Sequence, residues 1–264
     1  MSVPDRLSIN TSEEFPHLSK APITEAVIAI RAQPSVPWKE EEVLAKLKPH
    51  LTDYPHFRSG RLRELGVKIE DEPKAMMQDL GWLGFMFTSS DDKQIAKFQF
   101  DLFSLSRLHP YEDWDTFSGE ALRLWKLHVD ITQPVVIERL GVRFINRFAL
   151  PPNGSVLVSD YFKAHADDLP ELKLELASFF HHETMVMPSN PYAMNVIKTA
   201  QSAEASGTGP AFILDIDVYT REPFGADVEL LERRLAEMHW LKNKAFFGII
   251  TNKLLRELRK MADK

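Results

Sequence analysis

The sequence predicts an α+β protein made of a duplicated unit, and three observations carry that prediction. Apolar positions switch repeatedly between alternation and helical spacing. The strand and helix order of the first half recurs in the second. Like residues of the two halves also lie a constant 114 positions apart: Phe98 and Phe212, Asp101 and Asp215, Arg107 and Arg221, Asp113 and Asp227. The expected architecture is a β-α-β-β-β-α unit, twice, with antiparallel sheets each covered by a long helix. Two such units join about a pseudo-two-fold axis in a saddle-like arrangement. The implied organisation is a flexible N-terminal arm over 1–20, a first unit over 21–133 and a second over 134–264 with its C-terminal helix, in one compact two-unit body.

Each element has a local cause. In "APITEAVIAIR" Ala26, Ile28 and Ile30 share one face of a strand with a β-branched bias. "WKEEEVLAKLKPHL" has helical spacing and stops near Pro49. Segments around 64–70, 81–88 and 94–103 read as three strands, the last two joined by the turn "SSDDK". A helix begins at Asp113, with Trp114, Phe117, Ala121, Leu124 and Leu127 as its apolar stripe. Shifted by 114, that stripe lands on Val228, Leu231, Leu235, Met238 and Leu241, all apolar. The first strand lands on Leu140, Val142 and Phe144, and Val43, Leu44 and Leu47 of the short helix land on Leu157, Val158 and Tyr161. The last stretch continues helical, with a break expected around Gly248, Ile249 and Ile250. Its tail is expected to pack Leu254, Leu255 and Leu258 on the body.

The totals bound the function. The chain has 264 residues, 44% hydrophobic and 27% charged, which are globular values. A net charge of -6 argues against a protein that coats nucleic acid. With no cysteine, disulfides, thiolate metal sites and cysteine nucleophiles are excluded, and a cytoplasmic address is compatible. The start, "MSVPDRLSINTSEEFP", is polar, and no apolar run is long enough for a membrane helix.

Three segments together resemble a known family: "SKAPITEAVIAIR", "ERLGVRFINRF", and "LDIDVY" followed by "LAEMHWLKNKAFFGIITNKLLREL". They are similar to the sporadically distributed bacterial protein family of about this length, over essentially the whole chain. The most specific part is the closing pattern of His239, Lys242, Lys244, Phe246, Phe247, Ile250, Thr251, Asn252 and Lys253. Asn252 departs from it, because an acidic residue is the commoner variant there. The resemblance implies a single bacterial cytoplasmic protein. The family has no established activity, so no catalytic residue is carried over.

The candidate site starts from a row of arginines. In "VIERLGVRFINRF", Arg139, Arg143 and Arg147 recur every fourth position of a strand and therefore point the same way. In "FILDIDVY", Asp215, Asp217 and Tyr219 alternate with an apolar face. If the strands are neighbours, the charges form either a cross-strand ion-pair ladder or a polar groove that holds a phosphate or carboxylate. Asn146 falls in the apolar phase and needs buried partners. In "FFHHETMVM", His181 and Glu183 share a face, which is half a metal site. His239, beside the long-helix stripe, has the titration range for acid–base work but no partner identifiable in sequence.

No phosphate-loop, HExxH or GxSxG signature occurs. The loop "AEASGTGP" reads as a hairpin turn or a flap. The dense aromatics Trp82, Phe85, Phe87, Phe98, Phe100 and Phe103 lie among aliphatic and acidic neighbours and read as core. These observations point to a non-enzymatic binding or interaction protein that recognises a protein or small anionic ligand on the open sheet face through Arg139, Arg143, Arg147, Asp215, Asp217 and His239. The alternative is a metal-dependent enzyme acting on a phosphorylated or carboxylated substrate in the same groove, with Asp215 and Asp217 holding Mg²⁺. No other cofactor and no dedicated metal or catalytic residue is assigned, and a homodimer is compatible.

Overall fold

The computed structural model describes residues 7–18, 21–68, 74–151, 156–163, 178–188, 190–201 and 209–260, with the backbone alone at 63–68, 74–80 and 260. The strands are β1 (Ile23–Ala32), β2 (His56–Lys68), β3 (Lys74–Thr88), β4 (Gln94–Gln99), β5 (Leu102–Leu108), β6 (Val136–Ala149), β7 (Phe180–Val186), β8 (Tyr192–Gln201), β9 (Ala211–Thr220) and β10 (Phe224–Gly225). The helices are α1 (Glu40–Leu47), α2 (Trp114–Thr132), α3 (Val228–Ile249) and α4 (Asn252–Lys260). The class is α+β. The antiparallel sheets expected of the two units are joined in one ten-stranded sheet in the order β2-β3-β4-β5-β1-β6-β9-β8-β7, with β10 on β6, and every pairing is antiparallel.

β1 and β6 meet at the centre, where Ile28 faces Val142, Ala26 faces Phe144 and Ile30 faces Leu140. All six side chains are buried on one face, together with Phe98, Phe103, Leu214 and Ile216 from the flanking strands. Fully burying a side chain of this kind stabilises the fold by about 1.5–3 kcal/mol. α2 and α3 both pack on that face. Phe144 lies 6.5 Å from the rings of both Trp114 and Phe117 of α2, and beneath Lys242 of α3. Each long helix is started by an aspartate: Asp113 accepts from Thr116 N at 2.7 Å, and Asp227 accepts from Leu230 N at 2.9 Å. Such caps satisfy a backbone donor the helix cannot.

Several boundaries differ from expectation: β2 begins at His56 rather than around 64, and β3 at Lys74 rather than around 81. The strand expected over 94–103 is a hairpin turning at Phe100 and Asp101, with Phe98 opposite Phe103. Its core positions are even-numbered in β4 (Ala96, Phe98) and odd-numbered in β5 (Phe103, Leu105), and this change of phase is the turn's trace in the sequence. Phe100, expected in the core, sits at the tip with 47% of its surface exposed. Gly84 in β3 is at φ +148°, and a Cβ there would come 2.1 Å from the carbonyl oxygen of Phe98. Only glycine lets β3 approach β4 so closely. The helix break falls at Ile250 and Thr251, at the end of the stretch Gly248 to Ile250 expected to carry it: Ile250 bridges to Phe162, and Thr251 Oγ1 accepts from Leu254 N at 3.1 Å to start α4. Leu254 and Leu258 are then buried, as the tail's pattern predicts. Most of the loop "AEASGTGP" and the first six residues lie outside the described residues.

Candidate functional site

Alternation places Arg139, Gly141, Arg143, Ile145 and Arg147 of β6 on the face opposite Phe144, and no helix among the described residues lies on that face. β9 is the neighbouring strand, with Asp217 directly across from Arg143 and Asp215 across from Ile145. The side chains pair diagonally. Arg143 donates through Nε and Nη2 to Asp215, at 2.9, 3.1 and 2.5 Å, in a fork that matches the carboxylate. Arg139 donates once to Asp217 at 3.1 Å, and its guanidinium lies 4.6 Å from the centre of the Tyr219 ring. Arg147 donates to Gly209 O at 2.7 Å.

The electrostatics follow the geometry. The hydrogen bond and charge of Asp215 hold the Arg143 guanidinium above its usual range. Burial pushes the Asp217 carboxyl up, an effect opposed by Arg139 and Arg143. The acids sit below and the bases above: the arginine side chains are 41% and 47% exposed for Arg139 and Arg143, against 21% and 10% for Asp217 and Asp215.

His239 does not join this group. It stands on α3, on the covered side of the sheet, with its ring stacked on Trp114 at 4.2 Å between centres and 2° between planes. There it belongs to a second constellation. Lys242 Nζ donates to Asn243 Oδ1 at 2.6 Å and lies 4.0 Å from the centre of the Phe144 ring. Asn243 Nδ2 and His239 Nε2 are 3.1 Å apart, so the amide that accepts from the lysine donates to a neutral imidazole. Burial, then the charge of Lys242, push His239 down to about 3. Burial alone pushes Lys242 down to about 7. Asn146, reaching this side from β6, donates to Leu214 O at 3.0 Å, which is the partner its buried amide requires.

Lys242 is the residue that sequence reasoning passed over, and helical spacing could have found it. Leu231, Leu235, Met238, Lys242 and Phe246 step by three or four along α3, which puts a lysine in the buried stripe. The sequence also gives no reason to expect contacts from the arm, yet residues 7–18 lie against the body. Glu13 accepts from Trp240 Nε1 at 2.8 Å and from Lys244 Nζ at 2.7 Å, and Phe15 stacks on Phe247 at 5.6 Å and 6°.

On β7, His181 Nε2 is 3.6 Å from Glu183, whose other oxygen is 3.8 Å from Lys198. No group of three or more metal-ligating side chains occurs among the described residues. No described helix is long and apolar enough to cross a membrane. No protein-family model matches the chain, and no curated protein matches it.

Proposed function

We propose that the protein is a binding protein that recognises an acidic segment of a protein partner on the uncovered face of its sheet. The observation that carries this reading is the layering of charge there, guanidinium outermost and carboxylate beneath. By register the same face carries Arg31, Arg58, Lys97, Arg139, Arg143 and Arg147 against Glu25, Asp215 and Asp217, with Asp101 at the adjoining turn. A cationic surface on a chain of net charge -6 is a local segregation of charge, and it favours an acidic partner. The buried carboxylates fix the arginine geometry, so the remaining N–H donors point outward without losing further side-chain freedom.

The body reads as a duplicated unit with pseudo-two-fold symmetry. Ile28 and Val142, equivalent under the offset of 114, face each other at the centre, and the equivalents Asp113 and Asp227 both cap long helices. The proposed arrangement is saddle-like, with the binding surface on the open side of the sheet. The alternative, an Mg²⁺-dependent enzyme, fits the donor set poorly. Asp215 already accepts a bidentate arginine and Asp217 a second one, so a cation would have to displace both. A cytoplasmic address and membership of the sporadically distributed family go with this proposal as expectations.

The test is fluorescence anisotropy with a labelled oligoglutamate peptide and, in parallel, a labelled single-stranded oligonucleotide. The wild-type chain should bind the peptide, and Arg139→Ala/Arg143→Ala should weaken it at least tenfold while the variant stays folded by circular dichroism. Unchanged affinity in the double variant, or a stronger and more salt-sensitive hold on the oligonucleotide, would sink the proposal.

A further inference from the structure

On the covered side of the sheet, a cavity of about 520 Å³ opens between the arm, the start of α2 and the middle of α3. That is the size of a small-molecule site. Its lining combines flat apolar walls, from Phe15, Trp114 and Phe247, with the polar groups Lys242, Asn243 and Asn146 and with the carboxylates of Glu13, Glu112, Asp113 and Asp115. Lys242 is the feature that needs an explanation. It is only 7% exposed, and no carboxylate among the described residues pairs with it. A buried amine costs stability unless its charge is met. Its contacts, one amide oxygen and the face of Phe144, leave N–H donors unused. Three of the four carboxylates that line the cavity are engaged elsewhere: Glu13 with Lys244 and Trp240, Glu112 with Arg107, and Asp113 with the N-terminus of α2, while Asp115 lies exposed in the first turn of α2.

We propose that this cavity is a binding site for a small aromatic carboxylate, whose charge meets Lys242 Nζ and whose ring lies against Trp114 and Phe247 under the N-terminal arm. A single negative charge suits the site. Lys242 is the one lysine among the described lining residues, and Glu13, Glu112, Asp113 and Asp115 line the same cavity, so a doubly charged phosphate would meet more repulsion than a single carboxylate. Asn243 fixes the amine's direction from one side while its amide donates to His239, and the His239 ring stacks flat on the Trp114 wall. The arm is the cover. Phe15 and Glu13 fasten it through Phe247, Trp240 and Lys244, all on α3 and none on the sheet. The site is independent of the arginine face, which lies across the sheet.

The test is calorimetric titration of the full chain with 2-naphthoate, and with 2-naphthalenemethanol as a neutral match for its ring. The wild type should bind naphthoate, and Lys242→Met should weaken it at least tenfold while the alcohol binds both proteins alike. Circular dichroism and a melting temperature no lower than wild type establish that Lys242→Met is folded. Phe15→Ala should release naphthoate faster in stopped-flow tryptophan fluorescence. Arg139→Ala/Arg143→Ala should bind naphthoate as the wild type does, which separates this site from the acidic-partner surface. The inference is overturned if Lys242→Met keeps its affinity, if acid and alcohol bind the wild type equally, or if neither binds at millimolar concentration. Trapping of 2-naphthaldehyde on Lys242 by cyanoborohydride, without naphthoate binding, would also overturn it, by showing a neutral nucleophile in place of an anion receptor.

Discussion

The two faces of the central sheet treat charge in opposite ways. On the uncovered face every acid of the β9 row has its arginine: Asp215 has Arg143, and Asp217 has Arg139. On the covered face Lys242, against the very next residue of β6, has no counter-ion among the described residues. The first arrangement satisfies itself and would persist with nothing bound. The second carries an electrostatic penalty that a ligand could remove. Paired charge therefore marks a surface of fixed shape, whereas unpaired buried charge marks a place that waits for an anion.

The largest effect should come from Phe144, the wall that separates the two arrangements. It is fully buried and touches Tyr111, Trp114, Phe117 and Lys242. Phe144→Ala should cost about 3–5 kcal/mol in urea unfolding, the range for a large aromatic removed from a packed core. A loss below about 1 kcal/mol would mean that the helices do not rest on β6 as the structure has them, and the contrast between the faces would lose its basis.

Next comes the amine itself. An unfolded lysine titrates near 10.5, and burial brings Lys242 down to about 7 in the folded protein. Between those values the unfolded chain holds the proton and the folded one does not, so stability should rise with pH across this window. The penalty is fully present below the folded value and is relieved as pH climbs above it. From pH 7 to pH 9 the wild type should gain about 2 kcal/mol relative to Lys242→Met, measured by chemical unfolding at both pH values. At pH 7 the variant should already be the more stable protein. Parallel pH profiles for the two would show that Lys242 is charged and satisfied by some other group, and the two faces would be alike.

A smaller effect compares the two ion pairs. Arg143 makes a fork on the more deeply buried acid, and Arg139 a single bond on the less buried one. Arg143→Ala leaves Asp215 short of its partner and should cost about 1–3 kcal/mol, while Arg139→Ala should cost less than about 1 kcal/mol. Equal losses would make the ladder a diffuse field rather than one strong pair beside a weak one.

Much of this was legible in the sequence, and the reasons are physical. Strand alternation is strict, so Arg139, Arg143, Asp215 and Asp217 had to share a face once their strands were neighbours, and they do. The stripes of α2 and α3 were legible because burial repeats at helical spacing, although Val228, first in its stripe, is 56% exposed. The hairpin at Phe100 was hidden because its turn uses neither glycine nor proline. His239 entered the candidate set through the closing pattern and its titration range, and neither shows which side of a sheet its helix will cover. Lys242 was hidden by its type: a lysine is read as surface unless its position in the stripe is trusted over its charge. The arm's contacts, Glu13 to Trp240 foremost, join residues 227 apart and leave no periodic trace.

The finest discrimination lies at Gly141, between Arg139 and Arg143 on the uncovered face. Its carbon has space for the Arg139 guanidinium to fold back: a Cβ at 141 would stand 3.0 Å from Arg139 Nη1 and 3.7 Å from Asp217 Oδ1. Alanine there restricts the unfolded chain and suits a strand better, which favours the folded state by about 0.4–1 kcal/mol. Against this, the Arg139 head must move a few tenths of an ångström and loosen its single bond to Asp217. Because that head is the end of a flexible side chain and the bond is partly exposed, the loss should be of the same size. Gly141→Ala should therefore leave stability within about 0.5 kcal/mol of wild type, while weakening the oligoglutamate peptide through a displaced Arg139. A large destabilisation would show that Arg139 is held as rigidly as Arg143. Unchanged stability together with unchanged peptide affinity would place the recognising donors on Arg143 alone, and narrow the surface to that one fork.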